Sequence, residues 1–217
     1  MQGPPKWLAL VTIATALSAQ TTPPAGKAPT IRTYCHPADD FCFNYPAGWL
    51  VLGEVFEANG IVVAPPQKQE REAWDVVTVA RMIPPPQNKD DAVTIGEAIA
   101  QAESGVRASG QNFETLERLQ RMVNGKPAEV VKLRYSENST GRDWIEELVF
   151  IEGPASEIYS VALKSSPASL AAIEPLFSRI VDSWRLSDEA GEGDAAKPSA
   201  PNHGTRPNSK SPDPPKS

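Results

Sequence analysis

The sequence predicts an α+β domain built as an antiparallel β-sheet flanked by helices on both faces. Three observations predict it. Four strand-like segments between residues 114 and 164 follow one another through short turns, which makes an antiparallel meander. Two other segments, one after Thr94 and one ending at Trp184, carry apolar residues at helical spacing instead. From Leu148 onward the segment beginning at Trp144 is apolar on both faces, so both faces of the sheet need cover.

The element that opens the domain is residues 41–49, Phe-Cys-Phe-Asn-Tyr-Pro-Ala-Gly-Trp. A strand over 41–45 runs into Pro46, turns at Ala47-Gly48 and resumes over 49–54. Residues 60–64, Gly-Ile-Val-Val-Ala, form a short apolar strand closed by Pro65-Pro66. Residues 67–72 are a charged connection to a strand over 74–82, rich in β-branched residues. Residues 84–91 then make a long loop. Thr94 and Glu97 fit a capping box that starts a helix over 94–108. Its face is Ile95, Ala98, Ile99, Ala102 and Val106, and Gly110 stops it. A less regular strand over 114–123 meets Asn124-Gly125, the strongest hairpin signal in the chain, and returns over 128–135. Strands over 144–151 and 158–164 follow, separated by Gly153-Pro154. The last helix carries Leu170, Ile173, Leu176, Phe177, Ile180, Val181 and Trp184 on one stripe. Pro175 removes a backbone donor, so a first turn before Glu174 and a main helix over 174–184 are expected, with Trp184 plugging the sheet.

Both ends fall outside this pattern. Residues 1–19 read as a secretory signal: Lys6, an apolar run over 7–17, then the small residues Ser18 and Ala19. Cleavage fits after Ser18 or after Ala19. The run is short of the roughly 20 apolar residues a bilayer anchor needs, so no stable membrane anchor is expected after cleavage. Residues 20–30 are a Pro-rich lead-in, 31–186 the α+β domain, and 187–217 a Pro/Ser-rich tail expected to be disordered. Net charge is −6, and no block of Lys and Arg forms a stripe. Nucleic acid is therefore not an expected partner. The two cysteines, Cys35 and Cys42, are expected to form a disulfide in the oxidising compartment that export implies. The alternative, a redox pair, lacks the Cys-x-x-Cys spacing at a helix start.

The motifs and their order resemble the PsbP-like superfamily, which includes PsbP and the periplasmic DcrB-like proteins. The opening Tyr45-Pro-Ala-Gly-Trp49 is similar to its first strand and turn. Val123-Asn-Gly-Lys-Pro-Ala128 is similar to its hairpin, and Glu174-Pro-Leu-Phe-Ser-Arg-Ile-Val-Asp-Ser-Trp184 to its final helix. The resemblance covers nearly all of 41–186. It implies an α-β-α sandwich, a binding or assembly role, and no shared active site. Fold alone does not set function.

The residues offer little chemistry. His36 and His203 are the only histidines, and His203 lies in the tail. There is no Gly-x-Ser-x-Gly elbow and no nucleotide-binding glycine motif. Glu146 and Glu147 are adjacent on a strand and face opposite sides. His36, Asp39 and Asp40 are the one set with ligand chemistry, but a closed metal site wants about four ligands, so a solvated loop is expected. No cofactor is expected. Two functions remain: an exported, non-enzymatic binding or accessory protein with an envelope protein partner, periplasmic or secreted; or a hydrolase or metal enzyme using His36, Asp39 and Asp40. Contact surfaces for the first are residues 67–72, 84–91 and the tail. The lack of a nucleophile–base pair favours the first.

Overall fold

A computed structural model describes residues 30–37, 41–55, 60–66, 75–88 and 92–189. The expected signal, the tail beyond residue 189 and the connection 67–72 lie outside them, as do Asp39, Asp40 and residues 89–91 of the long loop.

The structure has the antiparallel sheet and the two helices expected. The strands are β1 (Ile31–Cys35), β2 (Phe41–Pro46), β3 (Leu50–Val55), β4 (Gly60–Ala64), β5 (Val76–Ile83), β6 (Gly110–Val123), β7 (Lys126–Glu137), β8 (Asp143–Glu152), β9 (Ile158–Ser165) and β10 (Arg185–Leu186). The helices are α1 (Ile95–Ser109) and α2 (Leu170–Ser183). Seven strands make one sheet in the order β3-β4-β5-β9-β8-β7-β6, all antiparallel. The meander β6 to β9 is present as expected, and β9 inserts beside β5.

Three expectations need correction. Residues 41–45 do not start this sheet. β2 is the centre of a separate three-stranded sheet, β1-β2-β10. The turn at Pro46 carries the chain from one sheet to the other, so the two halves of the opening segment never pair. Second, His36 is not in a solvated loop. It is 3% exposed, its ring stacks on Phe41 at 5.1 Å, and its backbone N–H donates to the Phe41 carbonyl. The strand before it, β1, was hidden by polar Arg32 and Thr33. Third, α2 is one helix from Leu170 through Pro175. The carbonyl that Pro175 cannot bond is that of Ala171. Both residues are exposed, so the freed acceptor is on the side of the helix open to solvent.

The chain after α2 also stays ordered past residue 187. Ser187–Glu189 form a 3-10 turn, Glu189 pairs with Lys126 at 3.0 Å, and Ser187 Oγ lies 3.6 Å from Cys42 Sγ. The expected start of the tail therefore falls inside the described chain.

Two cores result from strand alternation. On β7, Ala128 and Val130 enter a core with Ile173, Phe177, Ile180 and Trp184, while Val131 and Leu133 enter another with Ala98 and Ile99. The larger core also takes Phe41 and Phe43 from the small sheet. The capping box of α1 is formed: Thr94 Oγ1 accepts from the Glu97 N–H, and Glu97 accepts from the Thr94 N–H at 2.8 Å. The Thr94 N–H and, next, its hydroxyl donate to the Glu97 carboxyl and hold it below its usual range. α1 runs straight into β6 at Gly110. A Cβ there would sit 2.5 Å from the Tyr135 ring, so only glycine lets the helix join the sheet this closely. No helix among the described residues is long and apolar enough to cross a membrane.

Candidate binding groove

A groove of about 660 Å³ lies on the α1 side of the sheet. Its wall is the start of α1, Ala92 to Gly96. Its floor is the hairpin end of β6 and β7, with Gln120, Met122, Pro127 and Glu129. Glu152 at the end of β8, with Ser156 and Glu157 in the turn to β9, closes it. The volume lies within the roughly 300–1,000 Å³ of ligand-sized clefts.

The sequence builds each wall locally. Asn124 and Gly125 take left-handed φ of 46° and 77°, as the tight hairpin turn requires. The hairpin is then fastened to the end of α2. Asn124 Nδ2 donates to the carbonyls of Asp182 and Trp184, and the Arg121 guanidinium pairs with Asp182. The Lys126–Glu189 pair adds a third tie. The β8–β9 turn is strained: Ala155 and Ser156 have φ of 51° and 62°. Each costs about 1–2 kcal/mol for a residue with a Cβ. Two pieces of fastened backbone thus face the capped helix start.

The groove is apolar at its floor and acidic around it. Met122 is 58% exposed, the most exposed large apolar side chain of the described residues. Glu129 has Arg118 at 3.5 Å. Glu157 is 7% exposed; it pairs with Arg81 at 3.3 Å and accepts from the Tyr159 hydroxyl at 3.1 Å. Of the three glutamates that line the groove, Glu129 and Glu157 are paired with Arg118 and Arg81, and Glu152 has no ion pair among the described residues.

Elsewhere the polar side chains build structure. Asp75 Oδ1 accepts from Ser165 Oγ at 2.8 Å, Ser169 Oγ at 2.6 Å and the Ser166 N–H at 3.1 Å, which fixes the entry to α2. Lys132 lies between Glu147, at 3.5 Å, and Glu174. Burial pushes the Glu147 carboxyl above its usual range against the pull of Lys132. Its neighbour Glu146 accepts from the Tyr135 hydroxyl at 2.7 Å, so the two adjacent glutamates do face different partners. Burial and the Glu146 charge push the Tyr135 hydroxyl up, so it remains a donor at neutral pH. Lys164 sits 4.7 Å over the Trp144 ring.

Of the residues singled out in the sequence, Cys35 and Cys42 are bonded as a disulfide. They are directly opposite partners in the β1–β2 ladder. His36 lies beside them in the core, away from the groove, and Asp39 and Asp40 lie outside the described residues. Among the described residues no three His, Cys, Asp or Glu side chains gather as metal ligands would. The groove residues come from four places in the chain, and no single motif joins them. The one sequence signal was Met122, an apolar residue out of alternation with the core residue Val123 beside the Asn-Gly turn.

Neither a protein-family model nor a curated protein matches the chain. Solved structures match it in fold. The cyanobacterial PsbP of Synechocystis is 16% identical with a TM-score of 0.50, over 77% of this chain and 98% of that one. The Ran-binding protein Mog1p of Saccharomyces cerevisiae is 10% identical with a TM-score of 0.53, over 75% and 98%. LpqN of Mycobacterium tuberculosis, described as involved in cell envelope biogenesis, is 12% identical with a TM-score of 0.51, over 74% and 92%. At such identities the likeness is one of fold.

Proposed function

Taking the PsbP-like fold as premise, we propose that this protein is an exported, non-enzymatic accessory module that binds an envelope partner through the groove between α1 and the β6–β7 hairpin. The observation that carries the reading is the groove itself: fastened walls, an exposed apolar floor, and no nucleophile–base pair among its lining residues. Binding is what such a site can do, because a fixed frame lowers the ordering cost of association. The Cys35–Cys42 bridge supports an oxidising compartment, with residues 1–19 as the export signal and 31–186 as the working domain. A core under each helix, fed by alternate residues of β7, supports a helix–sheet–helix sandwich. A binding or accessory role also fits what Mog1p and LpqN are described as doing.

The test is site-specific photocrosslinking in the envelope, with the photoreactive residue p-benzoylphenylalanine replacing Met122, Pro127 or, as a control, exposed Ala171 on α2. Met122 and Pro127 should give the same adduct, suppressed by excess unlabelled protein, and Ala171 none. Equal adducts from all three positions, or none from the groove, would contradict the reading.

A further inference from the structure

We propose that the groove takes an extended polypeptide segment presenting a lysine or arginine next to an apolar side chain; this rests on the binding role given above. The carboxylates Glu129 and Glu152 stand on neighbouring strands of the same face. In the β7–β8 register Glu129 opposes Phe150, so Glu152 is its diagonal neighbour two residues along. Diagonal positions are about 7–8 Å apart. Backbone positions so spaced let one cation reach both side chains and relieve the repulsion of their charges. Among the described residues no cation pairs with Glu152, and Arg118 reaches only Glu129.

A bare metal ion is a poor fit, because among the described residues no three carboxylates converge. A cation carried on a chain suits the spread better: its charge between Glu129 and Glu152, its apolar neighbour on Met122 and Pro127. Met122 is unbranched and adapts to the side chain it meets. Arg121 is the one basic residue among the described residues that line the groove, and Asp182 of α2 already holds its guanidinium. An acidic ligand would meet Glu152 and Glu129 and find that guanidinium taken.

The probe is a capped octapeptide of alternating Lys and Val, with a Glu and Val octapeptide of the same length as its opposite. Each is titrated into the ¹⁵N-labelled full chain at low salt. The Lys peptide should move the amide signals of Gly96, Gln120, Met122 and Glu152, and the Glu peptide should not. Glu129→Gln with Glu152→Gln should weaken the Lys peptide about tenfold, the size expected for two partly exposed ion pairs. Glu103→Gln with Glu114→Gln removes the same charge at the other end of α1 and β6 and should leave affinity within about twofold. Salt at 0.5 M should weaken binding, since it screens charges beyond a few ångströms. Equal shifts with the Glu peptide, or equal weakening by both double variants, would overturn the proposal. If Met122 still gives its envelope adduct in that case, only the ligand class is wrong. If that adduct is missing too, the groove reading falls with it.

Discussion

Replacing Trp184 with alanine is expected to cost about 3–5 kcal/mol, the usual range for emptying a large aromatic site. The melting temperature should fall by roughly 6–20 °C. Trp184 is fully buried where α2, the small sheet and the large sheet meet. Its ring lies 5.1 Å from that of Tyr159, which in turn meets Phe41 edge-on at 6.1 Å. No single neighbour can move in to fill the space, because each belongs to a different layer. The Trp184 backbone carbonyl that accepts from Asn124 is kept in the variant, so the hairpin should loosen only as far as the emptied site lets that backbone shift. Thermal unfolding followed by circular dichroism measures the effect. Met122→Ala, on the exposed floor, should change stability by no more than about 0.5 kcal/mol. Equal losses from the two variants would mean that Trp184 does not hold the layers together.

The second large effect is expected from the disulfide. Replacing both Cys35 and Cys42 with serine should cost about 2.5 kcal/mol, the chain-entropy value for so short a loop. The bond joins β1 to β2, and among the described residues β1 has no other strand beside it. Its loss should free the amides of Ile31–Cys35 to exchange while the seven-stranded sheet stays protected. A reduced protein with the same urea midpoint and the same protection in β1 would show that the bridge adds nothing to the fold.

Sequence patterns revealed those parts of the fold whose cause is local. The α1 start was legible because Thr94 and Glu97 satisfy each other's backbone within one turn. The β6–β7 hairpin was legible because Asn124-Gly125 is the chemistry that its left-handed turn demands. Trp184 was legible because it keeps step with Ile173, Phe177 and Ile180. What stayed hidden depends on distant partners. β10 is two residues long and exists only through pairing with β2. β1 carries Arg32 and Thr33 and is fixed by the ladder opposite and the sulfur bridge. The placement of β9 beside β5 joins residues about eighty apart, which no local period records. α2 passes through Pro175 because Ala171 and Pro175 lie on its exposed side, a matter of which way the helix faces. The groove was hidden for the same reason. Gly96, Met122 and Glu152 meet only after the meander has folded back under α1.

Filling the groove from within tests whether it is the working surface. Gly96 lines it, and a Cβ built there meets nothing closer than Thr94 Oγ1 at 3.9 Å. Gly96→Trp should therefore occupy the space without disturbing either core, and the loss of a helix glycine should hold or slightly raise stability. The deciding measurement is the yield of the Met122 photoadduct in the envelope, with and without Gly96→Trp. A yield that drops at least tenfold in a protein of unchanged melting temperature is the predicted result. An unchanged yield would place the partner elsewhere on the molecule and contradict the account.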